Sequence, residues 1–416
     1  MIVKLTLNHP LFQSALPLIQ QIESHGYEAY FIGGCVRDTL LNRPINDIDI
    51  ATSAFPQEIA EIFSHTVDVG IEHGTIGIVY HGELYEVTTF RSESTYTDHR
   101  RPDEVTFIRS LEEDTLRRDF TINALAFDGQ GNLYDYHGGL DDLQQKIIRC
   151  VGQPYERFNE DALRMMRAIR FASQLGFKIE DNTLLAIESL SPSLAHIAIE
   201  RIRIEFIKFL EGDYFTQTAH LLETTHLSAQ LPGFNQVNVK RLLDRLIEKV
   251  EPLLTPRSQY RELIWAFITQ LLGYSEQETM RYLKDWTHSN DFIRLVLQIR
   301  EFLDLIQKNQ VTAMAIYTLD TGVIRQVQDY LDAHHLSVEN YLLQKEQLPI
   351  QTRKELAIDG KRLMDMFNLN RGGPMIGDIL ANLEMRVINR QLENKSRVLE
   401  DYVRQHYSVV GDMNVK

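Results

Sequence analysis

The chain has 416 residues, 44% of them hydrophobic and 24% charged, a balance typical of a globular protein that can bury more than one core. Its formal net charge of −15 excludes a protein that coats nucleic acid through bulk positive potential, so any nucleic-acid partner must be held by local basic clusters. No run approaches the roughly 18 apolar residues of a membrane span, and the N-terminal residues lack a secretion-signal pattern, so we expect a cytoplasmic protein that does not bind membranes.

Short strand and helix patterns alternate up to about residue 152. Strands are predicted at 28–33, 48–52, 75–80 and 84–90, where β-branched and aromatic residues concentrate, and the last two form a hairpin with His81 and Gly82 at its turn. PQEIAEIF predicts a helix that a proline opens, and the polar stretch YTDHRRPDE (96–104) predicts a mobile loop. This part of the chain is predicted to be an α+β domain, a small mixed sheet with flanking helices.

Helical patterns dominate the rest of the chain. We expect the strands to stop after Val151, and from Glu160 onward apolar residues recur at helical spacing. The two cysteines, Cys35 and Cys150, lie in apolar surroundings without CxxC spacing, which predicts buried, reduced thiols rather than a zinc site or a disulfide. The sequence therefore predicts an all-α region after the α+β domain.

NDIDIAT (46–52) carries two carboxylates in a strand-like stretch. Side chains alternate along a strand, so Asp47 and Asp49 are expected on one face, where they could share divalent cations; hard oxygen ligands suit Mg²⁺. Two such ions activate the attacking oxygen and stabilise the leaving one in phosphoryl transfer. Taken alone, the pair is better explained as a polar edge strand facing solvent, because short motifs have many false positives.

GGCVRD (33–38), just upstream, favours the functional interpretation. Gly33 and Gly34 end a predicted strand and begin a predicted helix, where backbone amides can approach a phosphate. Arg37 adds a planar guanidinium that matches phosphate oxygens. Together with the aspartates, this segment predicts phosphate contacts and a metal platform in one site.

Two further charged positions leave alternatives open. Glu86, in YEVTTF, is either a third carboxylate beside the aspartate pair or the cross-strand partner of a lysine or arginine. Arg117 and Arg118, in RRDFTINALAFD (117–128), are either aimed at a bound triphosphate or partly engaged in a salt bridge to Asp119.

EDALRMMRAIRF (160–171) predicts a helix with an unusual charged stripe. At about 100° per residue, Asp161, Arg164, Arg167 and Arg170 wind along one face. Arginines at this spacing are typical of phosphate and base-edge contacts, although without the preceding domain a structural ion-pair face is the better explanation.

These motifs, with DYHGG (135–139), occur in the order found in bacterial class II tRNA nucleotidyltransferases, the CCA-adding enzymes of the polymerase-beta-like superfamily, which the sequence resembles. AHIAIERIRIEF resembles the family's next helix motif, and ELAIDGKRLM with GPMIGDILANLE resembles its tail domain, so the resemblance covers nearly the full chain.

The resemblance implies a nucleotidyltransferase head at 1–152, a base-recognising neck at 153–215, a helical body at 216–300 and a tRNA-binding tail at 301–416. It implies stepwise addition of C, C and A to the tRNA 3′ end from CTP and ATP with Mg²⁺, and a homodimer. Residue by residue, it implies that the catalytic and metal-binding positions are Asp47 and Asp49 and that the nucleotide contacts are Gly34, Arg37, Arg118, Asp161, Arg164, Arg167 and Arg170. Glu86 is a further catalytic candidate because of its strand position, not because of the resemblance.

The Asp161 and Arg164 assignment agrees with base chemistry. Aspartate only accepts hydrogen bonds and arginine only donates them. Cytosine and adenine both present an amino donor beside a ring-nitrogen acceptor, whereas guanine and uracil present the opposite order, leaving buried groups unpaired at roughly 1 to 3 kcal/mol each. For the 3′-hydroxyl proton, the acceptor is left open among a metal-bound hydroxyl, Glu86 and the aspartates.

Two features depart from the family pattern, and related activities remain as alternatives. Ala198 replaces a hydroxyl residue at a helix start, which removes a side-chain cap, and His334 and His335 lack a phosphohydrolase ligand pattern. The alternatives are a bacterial poly(A) polymerase, a CC-only adding enzyme and a catalytically dead RNA-binding relative. YTDHRRP resembles the loop that CC-only enzymes lack, which favours full CCA addition.

Overall fold

The structure, a computed structural model, describes residues 7–93, 105–235, 237–336 and 339–407. The segment 96–104, predicted to be a mobile loop, lies outside the described residues. The chain divides into two compact units. Unit 1 comprises Met1–Asp244 with Thr255–Ser258 and Asp285–Thr287, and unit 2 comprises Arg245–Leu254, Gln259–Lys284 and His288–Lys416.

The strands of the described residues all lie in unit 1. They are β1 (Ala29–Ile32), β2 (Asp49–Thr52), β3 (Thr66–Gly70), β4 (Thr75–Tyr80), β5 (Glu83–Thr89), β6 (Arg91–Glu93), β7 (Val105–Phe107), β8 (Ala126–Phe127), β9 (Leu133–Tyr134), β10 (Ile147–Ile148) and β11 (Lys178–Ile179).

Seven of these strands form a mixed sheet in the order β3-β4-β5-β2-β1-β8-β9. The predicted hairpin is confirmed: β4 and β5 pair antiparallel up to Tyr80 and Glu83, and both turn residues, His81 and Gly82, have positive φ. β2 and β5 pair in parallel, whereas β1 is antiparallel to both β2 and β8. The parallel pair lies at the centre of the sheet, next to the residues of the site.

Each face of this sheet buries apolar side chains. On one face Phe31, Ile50 and Val87 are buried, and Phe12 of the first helix meets Phe31 edge to face at 4.8 Å between ring centroids. Burying such a ring stabilises the fold by about 2 kcal/mol. The opposite face is covered only in part, by a cluster that includes Tyr30, Ile32, Ala51, Phe90 and Leu111.

The helices of unit 1 flank this sheet and then continue without it. They are α1 (Pro10–Ser24), α2 (Gly34–Leu40), α3 (Pro56–Ile62), α4 (Leu111–Leu116), α5 (Gly139–Gln145), α6 (Pro154–Glu160), α7 (Leu163–Leu175), α8 (Asp181–Leu190), α9 (Ile199–Leu210), α10 (Phe215–Thr218) and α11 (Leu221–Thr224).

One expectation about the strands is wrong. The strands do not stop after Val151, because β11 forms a short parallel pair with β10, Ile147 opposite Lys178 and Ile148 opposite Ile179. A two-residue strand carries no periodic pattern of its own and exists only through its partner. The helices α7 and α9 pack together in the same part of the chain, and Gly176 ends α7 in the left-handed conformation. The predicted lack of a side-chain cap at Ala198, before α9, is confirmed.

In the described residues of unit 2, all regular secondary structure is helical. Its helices are α12 (Val239–Val250), which begins in unit 1, α13 (Arg261–Leu271), α14 (Glu276–Asp285), α15 (Asn290–Gln307), α16 (Ala313–Thr318), α17 (Thr321–Ala333), α18 (Tyr341–Glu346), α19 (Gly360–Met366), α20 (Pro374–Ile388) and α21 (Ser396–His406).

Local signals explain several of these helix starts. The side chains of Ser289 and Thr312 accept hydrogen bonds from backbone amides in the first turns of α15 and α16.

A separate apolar core, which includes Leu363, Ile379, Leu383 and Leu399, lies between α19, α20 and α21. No helix in the described ranges is both long and apolar enough to span a membrane.

The prediction that both cysteines are buried is confirmed. Cys35 and Cys150 are free thiols, each buried. Burial raises the pKa of both thiols to about 12, which keeps them protonated and unreactive near neutral pH.

Candidate active site

Three carboxylates gather on the partly open face of the sheet. Asp49 begins β2, and exposure alternates from Asp47 to Ile50, so that Asp47 and Asp49 are exposed while Ile48 and Ile50 are buried. Glu86 of β5 is the direct partner of Asp49 in the parallel register, and laterally paired residues project to the same face. The sheet therefore brings Glu86 beside the aspartate pair.

The charges around these three carboxylates favour the binding of a divalent cation. Although Asp49 is exposed as a residue, the surrounding protein partly desolvates its carboxylate and raises its pKa; the negative charges of Asp47 and Glu86 raise it further, and Arg118 opposes the rise. Among the residues that the structure describes, no lysine or arginine forms an ion pair with Glu86. Carboxylate oxygens that repel one another form a donor set that Mg²⁺ can neutralise.

The same carboxylates do not form a complete ligand cage. Within the described ranges, no three or more His, Cys, Asp or Glu side chains converge closely enough to hold a metal ion by themselves. Such incompleteness is expected for Mg²⁺, which keeps several waters and takes substrate phosphates as ligands rather than an all-protein cage. A third-ligand role for Glu86 therefore stays a prediction.

Gly33 occupies a position that no other residue could share without strain. Its φ is +79°, and a Cβ there would lie 3.4 Å from Nη1 of Arg118 and 3.8 Å from Oδ2 of Asp49. As predicted, β1 ends just before this turn and α2 begins at Gly34. A side chain at this position would therefore contact both the guanidinium of Arg118 and the carboxylate of Asp49.

Arg37, a predicted phosphate ligand, is held by protein groups. Its Nε and Nη2 donate to both carboxylate oxygens of Asp38, at 3.0 and 2.8 Å, and its Nη1 donates to Oδ1 of Asn123 at 2.7 Å. The guanidinium also lies 5.0 Å from the ring centroid of Phe171. These contacts orient the group, and its role as a phosphate ligand stays a prediction.

Arg117 and Arg118 share one buried carboxylate. Arg117 donates to Asp114 from Nε at 2.9 Å, and Arg118 from Nη2 at 3.3 Å. The salt-bridge alternative to Asp119 is wrong for both arginines, because Asp119 instead accepts from Arg167. The sequence offered Asp119 as the nearest carboxylate, but the turn after α4 points it toward α7.

Asp161 differs from its predicted placement. It lies outside the helix, with φ −136° and ψ 102°, and α7 begins two residues later. The helical stripe is therefore wrong for Asp161, because its Oδ1 accepts from the amide of Leu163 at 3.0 Å and so caps the chain before the helix. Its other oxygen accepts from Arg201 at 2.8 Å, a contact that sequence reasoning missed.

Arg164 is buried and fully oriented by the protein. It donates to Oε2 of Glu160 at 2.7 Å, to the carbonyl of Arg117 at 2.8 Å and to the carbonyl of Arg157 at 3.1 Å. Asp161 and Arg164 are thus close in sequence, but each is held by a different partner.

Arg167 and Arg170 belong to an ion-pair network between α7 and its neighbours. Arg167 donates to Asp119 at 2.7 Å, and Nε of Arg170 lies 2.7 Å from Glu205 of α9. Both guanidinium groups, with that of Arg37, lie within 5.4 Å of the Phe171 ring centroid. The structure therefore shows the ion-pair arrangement for these two arginines, and a role for them at the nucleotide stays a prediction.

Asn123 connects the two halves of the site, and nothing in the sequence singles it out beyond its place in RRDFTINA. Its carbonyl oxygen accepts from Arg37, and its amide nitrogen donates to Asp119 at 3.0 Å. Burial disfavours the charged Asp119, but Arg167 and the Asn123 amide outweigh it and lower the pKa of Asp119 to about 2. A continuous polar chain thus runs from Arg37 through Asn123 and Asp119 to Arg167.

Three family models match the chain in succession. They are the poly A polymerase head domain at residues 29–149, the probable RNA- and SrmB-binding site of polymerase A at 176–237, and the putative tRNA nucleotidyltransferase domain 2 at 257–403.

Relatives match nearly the whole chain. A CCA-adding enzyme of Pediococcus pentosaceus is 44% identical over 93% of this chain and 96% of that protein, and one of Enterococcus faecalis is 44% identical over 98% and 99%. The chain belongs to the CCA-adding enzyme family. It is therefore a nucleotidyltransferase, as the motifs predicted.

A solved structure of the same family agrees with this fold. The Bacillus stearothermophilus CCA-adding enzyme in complex with CTP superposes with a TM-score of 0.80 at 38% identity, covering 95% of this chain and 98% of that one. A Thermotoga maritima CCA-adding enzyme complexed with tRNA shares the fold, with a TM-score of 0.62 at 20% identity. The predicted class, an α+β head followed by helical domains, is confirmed for this CCA-adding family member.

Proposed function

We propose that this protein builds and repairs the 3′-terminal CCA of tRNA without a nucleic-acid template, using CTP and ATP and releasing pyrophosphate. One observation carries the proposal: the parallel β2–β5 register places Glu86 beside Asp49 on an open sheet face, next to the Gly33 turn and Arg118. The crystallised Bacillus relative, whose described complex contains CTP, supports a pyrimidine nucleotide as one substrate.

In the proposed reaction, the 3′-hydroxyl of the tRNA attacks the α-phosphorus in line, and pyrophosphate leaves. Asp47 and Asp49, with Glu86 beside them, would hold Mg²⁺. When bound, Mg²⁺ would supply charge stabilisation to the attacking and leaving oxygens. Arg118 and the Gly34 backbone would bind the triphosphate, and Arg37 would add a further donor from its fixed position.

We assign nucleotide selection to Asp161 and Arg164, with Arg167 and Arg170 holding the neck side of the site. Asp161 retains acceptor capacity because its two oxygens offer about four lone-pair sites, while Arg201 and the Leu163 amide occupy only part of them. Because Glu160 and two carbonyls fix Arg164, the donor and acceptor would be preorganised for cytosine and adenine.

The division of the chain into domains is part of the same proposal. We assign the head to 1–152, the neck to 153–215, the body to 216–300 and the tRNA-binding tail to 301–416. We also propose a cytoplasmic homodimer, on the resemblance to bacterial class II enzymes.

One assay tests the function. The protein is incubated with a tRNA that lacks its 3′ CCA, with Mg²⁺, and with each nucleoside triphosphate singly and mixed. Addition of C, C and A and then arrest is the expected result. Addition of C alone would indicate a CC-only enzyme, long A tails a poly(A) polymerase, and no addition a binding protein.

A further inference from the structure

The face that bears the three carboxylates continues sideways as an exposed apolar surface. Glu86 pairs with Gly77 of β4, and Gly77 pairs with Val67 of the edge strand β3, so one row runs from Asp49 to Val67 across four strands. Around this row lie Val67, Val69, Val79 and Leu84, between 41% and 53% exposed. We name these four side chains the aliphatic platform.

Gly77 makes the platform continuous. A Cβ at Gly77 would lie 2.7 Å from both Leu84 Cδ1 and Val67 Cγ2, and 2.9 Å from Val69 Cγ2. The three side chains therefore close over the glycine from three directions. Their convergence forms a surface rather than a set of separate exposed residues, and contiguous apolar surface of this kind marks a binding site more often than scattered residues do.

Of the platform side chains, only Leu84 lines the cavity that contains the carboxylates. A cavity of about 840 Å³ is lined by Asp47, Asp49 and Glu86 and also by Leu84 and Tyr80. None of the residues that line it, all in the described part of the chain, is a lysine or arginine. Apart from a bound metal ion, this lining offers no cation to pair with a phosphate, so the part of the cavity beside Leu84 favours an uncharged, flat group.

The geometry of in-line displacement indicates which reactant would lie over the platform. β2 lies between β1 and β5, so the Gly33 turn after β1 is on one side of Asp49 and Leu84 of β5 is on the other. Attacking and leaving oxygens stand on opposite sides of the reacting phosphorus. If the triphosphate lies against Gly33 and Arg118, the attacking 3′-hydroxyl must approach from the β5 side, over the platform.

We propose that the aliphatic platform binds the 3′-terminal nucleosides of the RNA acceptor, whose base and ribose faces pack on Val79 and Leu84. This inference rests on the proposed function and adds an acceptor subsite to it. Aliphatic packing has no hydrogen-bond pattern, so the platform accepts whichever nucleoside ends the growing RNA, while selectivity stays with the incoming nucleotide. The surface thereby accommodates an acceptor whose last base changes after every addition.

The test is steady-state kinetics of Leu84→Gln and Val79→Thr with a short acceptor-stem hairpin RNA that lacks its 3′ CCA. A short acceptor prevents contacts elsewhere on tRNA from masking the loss. Val79→Thr keeps the side-chain shape and suits a strand, so this variant should fold. We expect the KM for the RNA to rise roughly tenfold in Leu84→Gln and less in Val79→Thr, with the KM for CTP nearly unchanged.

Leu254→Gln is the matched control, because Leu254 is exposed and lies outside all three family models. Wild-type protein that adds no nucleotide would refute the proposed function itself. Active wild type, with both platform variants equal to Leu254→Gln in KM for the RNA, would overturn only the acceptor subsite. A changed oligomeric mass in sedimentation with an unchanged KM would likewise overturn it, by assigning the platform to a second copy of the chain.

Discussion

Asp49 lies beside several groups of the candidate active site. It begins β2, pairs with Glu86, adjoins Asp47 in sequence and lies near both the Gly33 backbone and Arg118. Partial desolvation of the carboxylate and two neighbouring carboxylates raise its pKa, so the folded protein places an acid where its charged form is disfavoured. Such arrangements are typical of residues retained for chemistry rather than for stability.

Replacing Asp49 with alanine should abolish all nucleotide addition while leaving tRNA affinity intact, because it removes a metal ligand and not a phosphate contact. The measurement is incorporation of radiolabelled CTP beside a tRNA binding titration. Glu61→Ala, an exposed carboxylate deletion on α3, is the control. Normal turnover in Asp49→Ala would contradict the metal assignment.

Asn123 makes a second prediction at the residue scale. In Asn123→Asp, the group that donates to Asp119 becomes an acceptor, and two carboxylates would face each other at about the present 3.0 Å. We expect kcat/KM for CTP and ATP to fall at least roughly tenfold, because repulsion between the two carboxylates would displace Asp119 and with it Arg167, which Asp119 orients.

The control is Asn182→Asp, an exposed amide on α8. Urea unfolding of both variants separates a local effect from a general loss of stability. If Asn123→Asp kept wild-type kinetics at equal stability, the polar chain would have no part in nucleotide binding.

At the scale of elements, the turn between β1 and α2 links backbone conformation to the site. Gly33→Ala would place a methyl group between Arg118 and Asp49 and force a non-glycine residue to φ +79°. We expect about 1 to 2 kcal/mol lower stability and a much larger proportional loss of activity.

Gly26→Ala separates these two effects. Gly26 has φ +87°, but nothing lies within 4 Å of its added Cβ, so the variant has similar backbone strain without a new contact to residues of the site. Thermal unfolding and CTP incorporation should show equal destabilisation but loss of activity only in Gly33→Ala. Equal activities in the two variants would show that a methyl group between Arg118 and Asp49 does not affect the site.

The contact between α3 and the segment before α4 gives a pH prediction. Arg109 donates two hydrogen bonds of 2.8 Å to the Glu58 carboxylate and lowers the pKa of Glu58 from 4.5 to about 2. Because the folded pKa is depressed, this contribution is fully present above pH 4.5 and is lost as the pH falls toward 2.

Since Arg109 is half exposed, solvent screens the pair and the contribution should be about 1 kcal/mol or less. Urea unfolding of Glu58→Gln and wild type should therefore converge as the pH falls from 4.5 to 2. Glu61→Gln, on the same helix, should follow wild type. A gap between Glu58→Gln and wild type that stays constant with pH would refute the ion pair as its cause.

At the scale of the whole molecule, a net charge of −15 must coexist with RNA binding. We expect the logarithm of the tRNA association constant to fall linearly with the logarithm of salt concentration, by roughly 0.7 to 0.9 per phosphate contact. Fluorescence titrations between about 50 and 200 mM salt would measure the slope. A slope near zero would mean that local basic clusters do not hold the RNA.

The sequence predicted elements whose signals are local and missed contacts whose partners are distant. The β4–β5 hairpin, the Gly33–Gly34 turn and the buried cysteines follow from neighbouring residues. The ion pair between Asp161 and Arg201 spans 40 residues, and no pattern near either residue specifies it. The pairing of Asp119 with Arg167 was missed for the same reason, since two nearer arginines competed for that carboxylate.

The register between β2 and β5 ties catalysis to folding. Asp49 pairs with Glu86 in the same ladder that pairs Ile50 with Val87. A slip of one residue would turn Glu86 toward the packed interior and Val87 toward solvent, so that a single error would remove the carboxylate and expose the core together. Mispaired molecules would therefore be unstable as well as inactive, and cellular quality control could remove them before they compete for tRNA.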